Sequence, residues 1–313
     1  VGAHPFRRLP RRAAGAGSII LVFGSGGQLG QELAALARQR GLALRGLTRA
    51  QVDIANPSQV ENALAEARPS VIINAGAYTK VDRAEAEPAE AMQANATGPG
   101  VLAKACAAAG LPLIHVSTDY VFDGSQPGTY RESDPIAPLG VYGRSKAAGE
   151  HAIREILSEH VIVRTSWVYG VYGANFLKTI LRLAGEREEL RIVADQRGCP
   201  TSTADLAEAL LAVAQALGKG RAVFGTYHFA GSGATTWHGF AQRIVAAQQP
   251  FTGRFVPVLP IRTDEYPTPA QRPANSELDS SRFSETFGYT ARPWADAVDH
   301  AVEQLLAPLG TTP

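Results

Sequence analysis

The sequence predicts an α/β protein: a doubly wound parallel sheet carrying a smaller C-terminal lobe. Short apolar runs rich in β-branched residues alternate with helical stretches from residue 19 onward. A glycine-rich turn joins the first apolar run to the first helix. From Tyr227 onward the pattern changes to short segments broken by Pro and Gly, as a lobe lying over the strand ends would require.

At 313 residues the chain has room for a sizeable core, in one large α/β domain or two smaller ones. Its 45% hydrophobic and 19% charged residues are those of a soluble globular protein. A net charge of +1 gives no reason to expect nucleic acid or a membrane as partner. Even that excess is local, because Arg7, Arg8, Arg11 and Arg12 precede the first acidic residue, Glu32. Residues 1–17 are expected to be a disordered tail or residues foreign to the native chain. The basic start and the apolar run after it have the outline of a signal peptide, but that run leads straight into the glycine turn and reads as a strand. Cys106 and Cys199 suggest neither a disulfide framework nor a metal site, which fits free thiols in a reducing cytoplasm. No apolar run approaches the roughly 18 residues of a membrane span.

Residues 19–23 (IILVF) are continuously apolar, as in a central parallel strand buried on both faces. In the GSGGQLG that follows, Gly24, Gly27 and Gly30 let the turn close, let backbone N–H groups approach a pyrophosphate, and let helix pack on strand. The spacing is G-x-x-G-x-x-G, and Gly26 also leaves a G-x-G start. Strand–turn–helix context favours a dinucleotide site over a plain tight connection. Residues 42–47 read as the second strand. No acid stands near its end to take a ribose 2′-OH, whereas Arg49 suits a 2′-phosphate, so NADPH is expected, with NADH as the alternative. Asp53, beside Ile54, is placed to meet adenine or to make an ordinary Asx turn. Residues 71–73 form the next strand, and the small residues of the following NAGAYT, Ala75 and Ala77 among them, let a cofactor pass close to the backbone. The segment 82–109 is helical, alanine-rich, and expected to break at Pro88 and at Gly98-Pro99-Gly100. Asn95 fits a buried polar linchpin and an exposed helix position equally.

The rest of the chain is organised around residues 113–150. Residues 113–116 (LIHV) are a buried strand, and Ser117-Thr118-Asp119 stands where that strand emerges, the place where ligands lie in open α/β sheets. After a loop rich in Gly and Pro, Tyr142 and Lys146 open a helix and, four residues apart, project from one face. Together these suit carbonyl reduction, in which the ketone oxygen needs a proton as hydride reaches carbon. A phenol with a pKa of about 10 is hard to ionise and recharge near neutrality. A neighbouring ammonium favours the phenolate, and a hydroxyl such as Thr118 would hold the ketone oxygen against the tyrosine. A bare Y-x-x-x-K is more often a surface pair, so the reading depends on the glycine turn and the strand-end hydroxyl as well.

Residues 161–164 are a further strand, and Trp167 and Tyr169 after it either wall a ligand or pack in the core. Helices are expected from Phe176 to about Gly185, from about Thr203 to Leu217 over the sheet, and from Trp294 to Leu306. The expected division is 18–165, with 190–225 returning to it, as the dinucleotide-binding Rossmann domain, and 166–189 with 226–313 as the substrate-binding lobe.

Taken together, GSGGQLG, VIINAGAYTKVDRAE, HVSTDYVFDG, YGRSK, RTSWVYG, DQRGCPT, YPTPAQRP and NSELD resemble the dTDP-4-dehydrorhamnose reductases, extended short-chain dehydrogenase/reductases. The resemblance runs from about Ile19 to Leu306. It implies cytoplasmic, NAD(P)H-dependent reduction of the C4 ketone of dTDP-4-dehydro-β-L-rhamnose (dTDP-4-dehydro-6-deoxy-L-mannose) to dTDP-L-rhamnose, a precursor of cell-surface polysaccharide. It implies that Gly27, Gln28 and Leu29 meet the cofactor pyrophosphate, that Asp53 and Ile54 meet the adenine side, and that Ala77, Tyr78 and Thr79 lie along the cofactor. Thr118, Tyr142 and Lys146 would be the catalytic set, with Lys146 also holding the nicotinamide ribose. Asp119 and Trp167 would touch substrate, and Tyr120, Asn175 and Arg272 are counted with them.

Some members of that family form a dimer bridged by magnesium through glutamates, one of them just after the P-T turn. Here Ala204 stands at that place, which argues against a structural magnesium and that dimer and leaves monomer and homodimer open. Three alternatives remain: a related nucleotide-sugar 4-ketoreductase, a regulatory subunit like the β type of methionine adenosyltransferase, and a 4,6-dehydratase. The last lacks its acid–base glutamate, since Tyr120 follows Asp119.

Overall fold

A computed structural model describes residues 18–307; the tail expected over residues 1–17 lies outside them. The chain begins with β1 (Ile20–Phe23), α1 (Gln28–Gln39), β2 (Leu44–Leu47), α2 (Pro57–Ala67) and β3 (Val71–Asn74). A long helical stretch follows: α3 (Val81–Ala84), α4 (Pro88–Met92), a π-helical turn (Gln93–Thr97) and α5 (Gly98–Ala109). Then come β4 (Leu113–Thr118), α6 (Val141–Ile156) and β5 (His160–Thr165).

The β1 run is buried at every position because both faces of the sheet are covered. Ile20 and Val22 point with Ile73, Ile114, Val161 and Val163 into one core, while Leu21 and Phe23 point with Ile72, Leu113 and Ile162 into the other. The first face is covered by Leu29 and Leu33 of α1 and by Leu206, Leu210 and Val213. The second is covered by Val60 and Leu64 of α2 and by Leu102 and Cys106 of α5.

Beyond β5 the chain forms β6 (Val168–Tyr169), α7 (Phe176–Glu186), β7 (Leu190–Val193), β8 (Arg197–Gly198), β9 (Thr201–Ser202) and α8 (Thr203–Gly218). It continues through β10 (Gly225–His228), β11 (Thr235–Thr236), α9 (Trp237–Thr252), β12 (Val258–Ile261), β13 (Asn275–Ser276), α10 (Ser281–Phe287) and α11 (Trp294–Leu306). The central sheet is parallel throughout, in the order β10-β5-β4-β3-β1-β2, so the strand order reverses between β1 and β3. Ligands bind at such a reversal, beyond the carboxyl ends of the strands. The lobe has its own core, in which Leu177 and Ile180 of α7, Phe240 and Ile244 of α9, and Val298 and Val302 of α11 meet. Among the described residues no helix is long and apolar enough to cross a membrane.

Two expectations are corrected. β10 pairs with β5 in the central sheet, and α10 packs on α8 and β10, so the chain returns to the sheet where the lobe was expected to begin. A four-residue strand between glycine-rich turns carries too little periodicity to announce itself. The helix also does not break at Gly98-Pro99-Gly100, because α4, the π turn and α5 run on without interruption. Pro99 has no N–H to offer the carbonyl of Asn95 four residues back. That carbonyl instead faces α6 at Gly149, where an added Cβ would overlap it. The glycine there is a condition of helix contact.

Gly149→Ala is therefore expected to cost about 1–3 kcal/mol by overpacking. Gly185→Ala, near the end of α7 and with nothing within 4 Å of its added Cβ, should be neutral or stabilising by up to about 1 kcal/mol. Urea unfolding of the two variants checks the contrast.

Candidate active site

At the end of β1, Gly24 has φ +86°, and a side chain there would overlap the backbone of Ala75 and Gly76 at the end of β3. Gly30 is closed in by the Gly24 carbonyl and Ser25. The turn thus needs glycine at both places, and it delivers the first turn of α1 to the strand-order reversal. Gly27 is the N-cap of α1, without a side-chain cap and with no acid in the first turn. The N–H groups of such a turn lack helical partners and suit a phosphate. Leu29 spends its side chain in the core, so only its backbone is available. Thr48 and Arg49 follow β2, and Arg49 is exposed. Asp53 accepts from Ala55 N at 3.0 Å, an Asx turn, and Ile54 packs against Gly98. Ala77 and Thr79 are exposed after β3, with Tyr78 between them tied by its backbone to Asn95.

β4 delivers Thr118 at its last position, and α6 presents Tyr142, Lys146 and Glu150 on one stripe. The helix comes close because Gly143 bears no side chain: a Cβ there would overlap the Tyr120 carbonyl. Its start is fixed by Glu85, which accepts from Val141 N at 2.7 Å and complements the helix dipole. The Tyr120 ring stands edge-on to the Tyr142 ring at 5.4 Å and 76°. Thr118 Oγ1 donates to Asp119 Oδ1 at 2.9 Å and accepts from Tyr120 N at 3.2 Å. Lys146 is buried, donating to Val116 O at 2.7 Å and lying 3.4 Å from His115 Nε2.

The electrostatics correct one expectation. Burial pushes the Tyr142 phenol up to about 12, with the Thr118 hydroxyl opposing and the Asp119 charge reinforcing the rise. Burial thus outweighs the lowering expected from Lys146, whose ammonium donates to Val116 O of the sheet. Burial in turn brings Lys146 down to about 8, with Glu150 opposing. Asp119 is pushed up to about 6 by burial, against the hydroxyls of Ser276 and Thr118, and among the described residues its Oδ2 has no hydrogen-bond partner.

Beneath the stripe lies a charge cluster. Glu150 is fully buried and accepts from Ser117 Oγ at 2.6 Å, from Arg164 Nε at 2.9 Å and Nη2 at 2.8 Å, and from Arg154 Nη2 at 2.7 Å. Burial pushes its carboxyl up, but Arg164, Ser117 and Arg154 outweigh that and hold it below the ordinary glutamate range. Asn95 sits in the π turn, 1% exposed, and exchanges two hydrogen bonds with the backbone of Tyr78 while donating to Ser145 Oγ at 3.0 Å. Of the two roles open to it, Asn95 takes the buried linchpin. Glu150 was legible only as the residue four beyond Lys146 on the same helix face, Ser117 only as part of a strand end, and the pairing of Arg164 and the role of His115 carried no signal in sequence.

Three substrate candidates have partners within the protein. The Asn175 side chain caps α7 through Lys178 N at 3.1 Å and donates to Gly170 O at 2.8 Å, so the geometry displays a structural cap. Arg272 makes a two-pronged pair with Asp82 of α3, at 2.9 and 2.8 Å, tying the lobe to the sheet half. Trp167 has φ +48° and stacks on Trp237 at 3.7 Å, against Gly198. A concavity of about 380 Å³ beside α1 and β2 adjoins the glycine turn through Ser25 and Gly46, but Thr118, Tyr142 and Lys146 do not line it. Among the described residues no three His, Cys, Asp or Glu side chains gather to hold a metal ion. Near Ala204, Glu32 accepts from Thr203 Oγ1 at 2.7 Å.

Residues 18–307 match the family described as the RmlD substrate binding domain. The chain is 43% identical over 289 residues to a dTDP-4-dehydrorhamnose reductase of Sinorhizobium fredii, covering 92% of this chain and 97% of that protein. It is similar to the crystal structure of a dTDP-4-dehydrorhamnose reductase from Clostridium acetobutylicum, with a TM-score of 0.85 and 36% identity over 92% of this chain and 99% of the other. It is similar also to that of the Bacillus anthracis dTDP-4-dehydrorhamnose reductase in complex with NADP, with a TM-score of 0.84 and 37% identity over 92% and 99% of the two chains.

Glu150→Gln leaves Arg164 buried without its counter-charge and should cost about 3–5 kcal/mol. The wild-type carboxylate has a depressed folded pKa, so its contribution is full above about pH 4.3 and is lost as pH falls toward the depressed value. The variant's stability should accordingly be flatter through that acid window, as chemical unfolding at a series of pH values would show.

Proposed function

The chain belongs to the family of the RmlD substrate binding domain, and from that membership we propose that it reduces the C4 ketone of dTDP-4-dehydro-β-L-rhamnose to dTDP-L-rhamnose. The observation that carries this is the gathering of the Thr118 hydroxyl, the Tyr142 phenol and the Lys146 amine at the end of β4 and the start of α6, next to a strand-order reversal lined by glycine.

A dinucleotide fits this chain on its own features. Gly24 lets the turn close on the backbone of Ala75 and Gly76 at the end of β3, and the first turn of α1 that follows is uncapped. Gly27, Gln28 and Leu29 would hold the pyrophosphate through backbone N–H groups, with Ala75, Ala77, Tyr78 and Thr79 along the path to Lys146. Arg49, with no acid between it and β2, favours a 2′-phosphate and hence NADPH over NADH. When bound, the nicotinamide supplies hydride to C4.

The protein's own residues supply the proton and its placement. Tyr142, held near 12, stays protonated throughout the neutral range and is a donor to an alkoxide forming at O4. Thr118 gives its hydrogen to Asp119 here, and a ketone oxygen arriving beside Tyr142 would compete for that hydrogen. A proton on Lys146, at about 8, is more acidic than one on Tyr142, so the lysine can recharge a spent phenolate. Asp119 and Tyr120, beside Thr118 and Tyr142, are the groups left to meet the sugar nucleotide.

Tyr142→Phe should keep NADPH binding and lose turnover by about 10²–10⁴-fold. An assay following NADPH and then NADH consumption on dTDP-4-dehydro-β-L-rhamnose, with product identified by NMR, tests both assignments. Near-wild-type kcat in the phenylalanine variant would remove Tyr142 as the acid, and no oxidation of either cofactor by the wild type would remove the reaction.

A further inference from the structure

His115 lies in the middle of β4, fully buried, and is register partner to Asn74 of β3. Its ring bridges two groups of the site: Nδ1 is 3.0 Å from Asn74 Nδ2, and Nε2 is 3.4 Å from Lys146 Nζ. The amide of Asn74 cannot turn freely, because Gly76 N, packed against Gly24, donates to Asn74 Oδ1 at 3.1 Å. That contact leaves Nδ2 as the group facing the ring, so Nδ1 must accept. A neutral imidazole accepting at Nδ1 carries its hydrogen on Nε2. The ring N–H then points at the lysine nitrogen. An ammonium meets it donor to donor, whereas a neutral amine accepts it.

We propose that His115 is a positioning residue for the reaction: locked by Asn74 with its hydrogen on Nε2, it disfavours the ammonium of Lys146 and stabilises the neutral amine. This deepens the reductase reading and rests on it. When Tyr142 has given its proton to O4, an N–H of Lys146 breaks and, through an intervening hydroxyl, an O–H forms on the phenolate. The amine left behind accepts from His115 Nε2–H until it regains a proton from solvent. Val116 O keeps the nitrogen in place in both states.

The surroundings agree. Burial, reinforced by Lys146 and by His160 of β5, pushes the His115 pKa well below its ordinary value, so the ring is neutral. From its own helix Lys146 feels the charge of Glu150, whose carboxylate is committed to Arg164, Arg154 and Ser117. β3 offers only the uncharged Asn74.

The test is nitrogen NMR of histidine in the cofactor-free protein, joined to titration of the ε-methylene signals of the five lysines. His115 should appear as the neutral Nε2–H tautomer from about pH 6 to 8. Asn74→Asp can only accept, so the ring hydrogen should move to Nδ1, and the bare Nε2 should raise the Lys146 titration by about one pH unit or more. Asn74→Leu frees the ring without adding charge and should move the lysine in the same direction. Because turnover needs the ammonium to recharge Tyr142, the high-pH limb of kcat should shift upward with it. An Nδ1–H tautomer or an imidazolium in the wild type overturns the proposal, as does a tautomer change that leaves Lys146 unmoved. These signals are read without substrate or cofactor, so a failed reduction assay with the expected tautomer would count against the reaction and not against the His115–Lys146 contact.

Discussion

A carboxylate sealed from water fixes where α6 lies. Glu150 is surrounded by Arg164 from β5, Ser117 from β4 and Arg154 from its own helix. Stripping water from a carboxylate and a guanidinium costs several kcal/mol for each ion, and only near-complete hydrogen bonding offsets it. The arrangement is therefore intolerant of displacement: sliding α6 along the sheet would leave two charges buried and unpaired. Tyr142 and Lys146 share the stripe with Glu150, at successive turns, so the register that satisfies the carboxylate also brings phenol and amine to the end of β4.

Glycine does the complementary work of letting the parts meet. Gly143 lets α6 touch the carbonyl of Tyr120, Gly149 lets it touch that of Asn95, and Gly24 lets the first turn close on the end of β3. In each case the neighbour is backbone, which cannot step aside as a side-chain tip can.

Much of this was legible in the chain. The apolar run at the start of β1, the glycine turn, and the strand-end hydroxyl followed by Tyr142 and Lys146 follow local rules, and local rules survive folding. What sequence could not show was pairing at a distance. Arg164 reads as the end of a strand, and nothing local says that its partner lies on α6. Arg272 is counted with the substrate-binding residues, and nothing near it in sequence says that Asp82 holds it. Gly98-Pro99-Gly100 reads as a break by propensity, yet the missing N–H falls where the π turn had already released the carbonyl. The proximity of Lys146 to Tyr142 along the helix suggested a lowered phenol pKa, but the direction of the ammonium depends on Val116 and His115 of β4.

The four-residue helix α3 touches both halves of the molecule. At one end Asp82 grips Arg272 of the lobe, and just past the other Glu85 holds the first N–H of the helix that bears Tyr142. A change at the Asp82–Arg272 pair would therefore be felt at the start of the helix that bears Tyr142. The contacts of Asp82 and Glu85 thus join the lobe to the helix that carries the phenol, and severing either would reach Tyr142 without altering the ring itself.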